Sequence, residues 1–227
     1  MIVNMIAWLA DPAHWRGPEG VPAQMLLHLY YCVLSVGVAV VIAVPLGLYI
    51  GHTGRGGVFV VGVSNAMRAL PTLGLVTALV MFLGLGVVPA LAGLVILAVP
   101  AVLSGTHAGV RSVPTEAVDA ARGMGMTPWQ RLWQVELPNA LPLLIGGVRS
   151  AMLQVVATAA VAAYVGLGGL GRILLGGLAV GEYDQMAVAA LLIALLAVFL
   201  DGVLAALSRW VVPRGLVLAN TATHDGS

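Results

Sequence analysis

The sequence predicts an all-α, polytopic helical membrane protein with about five transmembrane helices, N-terminus out and C-terminus in. Three observations carry that expectation. The chain is 60% hydrophobic and 8% charged, whereas a soluble globular domain has about a quarter of its residues charged. Apolar runs of the roughly 20 residues needed to cross a ~30 Å hydrocarbon core recur along it. They are too long for barrel strands and lack strict alternation, which leaves helices as the spanning structure. Finally, one polar stretch of any length lies between apolar runs: Arg111 to Pro138 holds six of the chain's nineteen Asp, Glu and Arg residues.

Residues 1–20 mix Trp8, Trp15, Asp11, Arg16 and Glu19 with proline and glycine. Without the basic start and small-residue cleavage site of a signal peptide, they are expected to form an aromatic-bearing segment at the membrane surface. Span one is expected from Ala23 to Ile50, followed by a turn at Gly51–Gly57 that carries Arg55. Span two, Val58 to Leu83, contains Arg68-Ala69-Leu70-Pro71-Thr72. Proline there removes a helix hydrogen bond, giving either one kinked helix or two half-helices. Span three runs from Val87 to Val110 with Pro100 near its middle. Span four, Leu141 to Val165, carries Arg149. Gly166–Gly181 reads as a glycine-rich outer connection with Ile173, Leu174 and Leu175 dipping toward the membrane. The last span, Gln185 to Val212, carries Asp201. Residues 1–213 form one domain in this reading, and the polar tail, 214–227, is expected to be disordered.

The Arg111–Pro138 segment reads as two short helices broken by glycine. In the first, Pro114 fits the opening turn, and Glu116 and Asp119 lie where the positive end of the helix dipole favours carboxylates. Ala117, Ala120, Ala121 and Met124 fall at i, i+3, i+4 and i+7 and give one small apolar face, which Gly123 and Gly125 terminate. Thr127, Pro128 and Gln130 open the second as a capping box with proline at N1, and Pro138 is expected to end it. Two stubs at a sharp angle make an elbow whose alanine face lets another backbone approach closely. With the elbow in the cytoplasm, Arg55, Arg111, Arg122, Arg131, Arg209 and Arg214 are inside and only Arg16 and Arg172 outside. Six against two fits the positive-inside bias.

Composition also excludes functions. All ten basic residues are arginine, so the chain supplies neither the lysine of a phosphate-binding Walker loop nor a Schiff-base amine. A net charge of +1 gives no footprint for nucleic acid. Cys32 stands alone, so no internal disulfide forms, and His14, His28, His52, His107 and His224 lack metal-ligand spacing. Gly166-Leu-Gly-Gly-Leu-Gly171 matches the dinucleotide fingerprint in letters, but no βαβ unit exists among membrane spans to house one. No nucleophile-base-acid or paired-carboxylate spacing marks an enzyme, and a channel would have no use for the elbow.

Asp119-Ala120-Ala121, then Gly125, then Val135-Glu136-Leu137-Pro138 resembles the EAA loop of permease subunits in bacterial ABC importers, where the pattern is Glu-Ala-Ala, Gly, Ile-x-Leu-Pro at those distances. The surrounding AARGMGMTPWQ and VELPNALP look most like the osmoprotectant branch, with a methionine-permease-like fold; Pro45-Leu46-Gly47 and the GxGGLG segment at Gly166 add to the likeness. Asp119 replaces the family's usual Glu, shortening the carboxylate by one methylene. The resemblance implies a bacterial inner-membrane permease for glycine betaine, carnitine or choline, with a methionine or other amino-acid permease as the alternative. It implies a second permease, two ATPase subunits holding ATP and magnesium, and an extracytoplasmic binding protein; this chain would hold no cofactor. Glu116, Asp119, Ala120, Ala121, Arg122, Gly123, Met124, Gly125, Thr127, Leu137 and Pro138 would then form the ATPase-coupling loop.

A charged side chain at the bilayer centre costs at least ~2.5 kcal/mol on insertion scales, so Arg68, Arg149 and Asp201 need partners or water. Either arginine is a candidate partner for Asp201. Arg68 sits where similar permeases have a neutral Gln-Thr-Ile-Pro-Ser stretch. Met67, Pro71, Thr72 and Leu73 are the candidate pathway lining, because irregular backbone at membrane depth is tolerated along a cavity. An aromatic cage for a quaternary ammonium is missing at that depth: Trp129 and Trp133 share a face of the elbow instead. Solute capture is therefore assigned to the binding protein that the resemblance implies.

Overall fold

A hydrophobic chain without water to satisfy its backbone closes its hydrogen bonds inside helices, and the computed structural model has no strand among the described residues. It describes residues 2–212, excepting the side chains of Ile2, Asn65 and Arg68. The expected tail at 214–227, with Arg214, lies outside the described residues. In order the helices are α1 (Ile2–Ala10), α2 (Val21–Thr53), α3 (Gly57–Arg68), α4 (Thr72–Leu83), α5 (Val87–Arg111), α6 (Thr115–Gly123), α7 (Pro128–Arg131), α8 (Leu137–Ala162), α9 (Leu170–Val180) and α10 (Tyr183–Val211). Four stretches are long and apolar enough to cross a membrane: Val21–Thr53, Val87–Arg111, Pro128–Val165 and Tyr183–Val211.

α5 is the axis of the bundle, with α2 and α8 packed on either side of it. Small residues make this possible. A Cβ added to Gly47 or Gly51 of α2 would lie 2.7 Å from the side chain of Thr106 or Val110 on α5. Toward α8, a Cβ on Gly105 would lie 2.7 Å from Gly147 Cα, and one on Gly109 would lie 2.6 Å from the Ala140 carbonyl oxygen. In a lipid solvent, where apolar surface gains nothing by leaving the acyl chains, such close backbone contact is what holds helices together. Cys32, Val36 and Ala39 of α2, Ala98 and Val102 of α5, and Val155 and Val156 of α8 fill the centre.

The second span is two half-helices. Ala69 and Leu70 tighten into a turn, with their N–H groups on the Ala66 and Met67 carbonyls, and Pro71 opens α4 in an extended conformation. Proline drives the residue before it out of helical geometry, so the rod breaks there. Each half has 12 residues, about 18 Å of helix, too short to cross alone. They descend α5 one after the other: Gly57 faces His107, Ser104 donates to the Ser64 hydroxyl at 2.9 Å, and Gly93 packs under Val76. The pair is one crossing, which with the four long helices makes five.

Two expectations need correction. The second elbow helix does not stop at Pro138. After the capping box it passes through a π-helical turn, Leu132–Glu136, directly into α8. Widening the turn moves the carbonyls that a proline ring would otherwise strike, and Asn139 Nδ2 donates to the Val135 carbonyl at 2.7 Å, which α-helical bonding would otherwise have occupied. The glycine-rich connection after Val165 is not merely a loop: Leu170–Val180 is a helix with Leu170, Ile173 and Gly177 buried. Gly171 rests against the Ala160 backbone, and Gln185 of α10 donates to the Ile173 carbonyl at 2.7 Å. The N-terminal segment expected at residues 1–20 begins with the helix α1, whose Asn4 donates to Asp184 at the start of α10 (3.1 Å).

These contacts sort the bundle into two ends. The last turns of α2 and α5, the α6–α7 elbow and the start of α8 lie at one end; α1, α9 and the starts of α2 and α10 lie at the other. Arg55, Arg111, Arg122 and Arg131 are at the elbow end, as is Arg209 in the last turn of α10, while Arg16 and Arg172 are at the opposite end beside Glu19, 3.1 Å from Arg172.

Candidate coupling and gating sites

The elbow is one free-standing helix set against the root of α8. Pro114 caps α6 in an extended conformation, with Glu116 in the first turn and Arg122 in the last. Met124 closes it, and Gly125 reverses the chain at φ +80, a left-handed conformation that costs an L-residue roughly 1–2 kcal/mol. Thr127 accepts from the Gln130 N–H while the Gln130 side chain accepts from Thr127 N–H at 2.9 Å, the reciprocal capping box. Of the predicted alanine face, Ala121 is buried against the protein and Ala117 half-buried. Ala120 and Met124 are exposed beside Glu116, Asp119, Gly123 and Thr127. Arg122 pairs with Asp119 at 3.1 Å, both well in solvent. Leu137 and Pro138 sit at the root of α8, half-buried, rather than on the exposed elbow.

Behind this surface lies a polar cluster that sequence reading missed. Glu136, 4% exposed, receives His52 Nδ1 at 2.6 Å on one oxygen and Arg131 Nε at 3.0 Å on the other, and Arg131 Nη2 approaches His52 Nε2 at 3.4 Å. His52 belongs to the last turn of α2, Arg131 to α7 and Glu136 to the π-helical turn. The cluster borders a polar cavity of about 210 Å³ that is also lined by Arg111, Thr115 and Arg122. On its other flank an apolar groove of about 500 Å³ runs between α2 and α7, with Tyr49, Trp129 and Trp133 along it. The two indoles meet edge to face at 5.4 Å.

Within the span region the structure pairs Arg149 with Asp201 in a two-pronged contact, Nε to Oδ1 at 2.8 Å and Nη2 to Oδ2 at 2.7 Å, linking α8 to α10. The side chains are 36% and 29% exposed, so the pair lies at the surface of the single chain. Beside it, Leu143, Gly146, Ser150, Leu153, Ala157 and Val161 form an exposed stripe of α8 at spacings of three or four residues. Arg68 is the last residue of α3, and its side chain lies outside the described residues. Met67 is half-buried, Pro71 is exposed at the break, and Thr72 is half-buried in the first turn of α4. Leu73 lines an apolar cavity of about 410 Å³ with Ala157, Val161 and Tyr164. Among the described side chains no hydrogen bond joins Met67, Pro71, Thr72 or Leu73 to the Arg149–Asp201 pair. Arg149 and Asp201 tie α8 to α10, whereas Met67, Pro71, Thr72 and Leu73 flank the break between α3 and α4.

A five-crossing helical bundle with an elbow rooted in its fourth crossing is the fold of a transport permease, and residues 43–214 match the family described as binding-protein-dependent transport system inner membrane component. The chain belongs to that family. It is 35% identical over 83% of its length to the osmoprotectant import permease protein OsmW of Salmonella typhimurium, covering 90% of that protein. It is 32% identical to the glycine betaine/carnitine/choline transport system permease protein OpuCB of Bacillus subtilis, over 83% of this chain and 87% of the relative. Its fold superposes on a chain of the inward-facing MetNI methionine ABC transporter with a TM-score of 0.78 at 24% identity, over 90% of this chain and all of that one.

Proposed function

We propose that the chain is the membrane-spanning subunit of an ATP-driven importer for a small osmoprotectant such as glycine betaine, carnitine or choline, in a bacterial inner membrane. The observation that carries the coupling role is the continuity of the elbow with α8: a push on α6 and α7 reaches a stretch of 38 residues, Pro128–Val165, that crosses the bilayer. The solute class is supported by the relatives matched at 32–35% identity.

In this reading Glu116, Asp119, Ala120 and Met124 face an ATPase subunit, one on each of two permeases. ATP and magnesium are held by that partner. Closure of the ATPase pair presses the elbows together, tilts α8 and turns the passage outward to receive solute from a docked binding protein. The second permease covers the exposed stripe of α8, where Gly146 and Ser150 allow a close helix crossing. It also removes the half-exposed Arg149–Asp201 pair from lipid, where charge is costly. Met67, Pro71, Thr72 and Leu73, with Arg68, line the passage at the α3–α4 break.

The test is to express the chain with its neighbouring transporter genes, purify the assembly through this subunit and reconstitute it in vesicles. A copurified ATPase and ATP-dependent uptake of labelled glycine betaine, carnitine or choline are expected. Uptake of methionine instead would overturn the solute class, and solute movement by the chain alone would overturn the coupled mechanism.

A further inference from the structure

We infer that Glu136 is a positioning residue for coupling: it clamps the last turn of α2 to the elbow, so that a push on the elbow moves α2 together with α8. The inference rests on the ATP-driven reading above and adds to it a second transmission route. By itself the elbow is covalently joined only to α5, through the Ser112–Pro114 link, and to α8. Nothing in the chain's connectivity ties it to α2, whose last turn precedes the elbow by two whole crossings.

The cluster supplies that tie. Both Glu136 oxygens are occupied, one by His52 of α2 and one by Arg131 of α7. The Glu136 side chain is 6% exposed, with 14% for His52 and 11% for Arg131. Charge-assisted contacts withdrawn from water are stronger than surface pairs and break only with a large penalty. The three side chains therefore move as a unit. Their position is equally specific. Glu136 ends the π-helical turn, the one departure from α-helical bonding between the capping box and Ala162, and single π-turns inside α-helices are frequent at functional sites. Without the clamp, that widened turn is where the elbow would flex against α8 instead of tilting it.

The neighbouring polar cavity of about 210 Å³, lined by the clamp and by Arg122 of α6, agrees with a moving joint. It leaves α6 room to travel toward the bundle. The other titratable groups lining this cavity with Glu136 are His52, Arg131, Arg111 and Arg122, with no second carboxylate among them, so Glu136 has no acidic rival for its partners there.

The experiment uses the complete transporter, with its ATPase and binding protein, in vesicles. Glu136→Gln keeps the shape and removes the charge; His52→Arg keeps a hydrogen-bond donor from α2 opposite Glu136. Glu136→Gln should leave the ATPase bound and hydrolysing while uptake falls by roughly tenfold or more, the scale of one charge-assisted buried contact. ATP consumed per solute rises accordingly, and His52→Arg should stay near the wild-type ratio. A solute-independent readout accompanies it: spin labels at the exposed Thr53 and Gln134 should keep one narrow distance with and without trapped nucleotide in the wild type, and a broadened one in Glu136→Gln. An unchanged ratio, an unchanged distance distribution, or a proportional loss of bound ATPase and both activities would overturn the clamp. Intact label behaviour with no uptake of any of the three solutes would leave the clamp standing and overturn the solute assignment instead.

Discussion

Gly105→Ala tests what holds the bundle together. The added Cβ would sit 2.7 Å from Gly147 Cα, 2.8 Å from the Leu143 carbonyl oxygen and 3.0 Å from Gly147 N, whereas carbon atoms rest at about 3.5–4.0 Å. All three obstacles are backbone, so no rotamer change relieves them and α5 must part from α8 by about 1 Å. A gap of that size forfeits roughly a quarter to a half of each dispersion well along the crossing. Overpacking against rigid neighbours costs about 3 kcal/mol at the upper end, and the better helix propensity of alanine returns about 1 kcal/mol. The net expectation is a loss of about 2 kcal/mol, or roughly 4–8 °C in midpoint for a chain of this length. Thermal unfolding of the detergent-purified permease measures it. The control is Gly37→Ala on α2, where a Cβ meets nothing within 4 Å; it should be neutral or stabilising by up to about 1 kcal/mol. If Gly105→Ala melts with the control, close backbone contact is not what holds α5 to α8.

Further outcomes follow from the two candidate sites. Arg149→Gln leaves Asp201 without its partner in a low-dielectric setting, so it should lower folded yield and uptake, while the swap Arg149→Asp with Asp201→Arg should recover much of both; an Asp201→Asn chain with full uptake would deny the pair any role. Gly125→Asp places an L-residue at φ +80 and a charge on the elbow surface; transport should be lost with membrane insertion intact, and normal uptake would refute the coupling role. Pro71→Ala permits one continuous helix through the α3–α4 break, and uptake should fall while folding is kept; unchanged uptake would remove the break from the passage.

How much of this was legible in the sequence depended on whether the signal was local. The capping box at Thr127 and Gln130, the glycine stop at Gly125 and the break at Pro71 were all readable, because each is fixed by two or three adjacent residues. The Arg149–Asp201 contact was readable for a different reason: a charge inside an apolar run demands a partner, and Asp201 was among the few on offer. Pro138 misled because a proline normally ends a helix, and only the wider π-turn before it lets the chain continue. The helix α9 was hidden because Leu170–Val180 contains three glycines, whose low propensity argues against a helix; packing of Gly171 on Ala160 overrides it. The Glu136 cluster joins residues 84 positions apart, and no periodicity connects them. The available hint was a glutamate five residues after Arg131 at the root of an apolar span, where an unpaired carboxylate would be expensive.

One thiol reports where the Arg111–Pro138 elbow faces. Cys32 is fully buried, so Ala120→Cys, on the exposed flank of α6, provides the accessible sulfur in an otherwise unreactive chain. A membrane-impermeant maleimide should label it in inside-out vesicles and not in intact cells, and a bound ATPase should protect it. Labelling from the outside, or equal labelling with and without the ATPase, would contradict an elbow driven by a cytoplasmic motor.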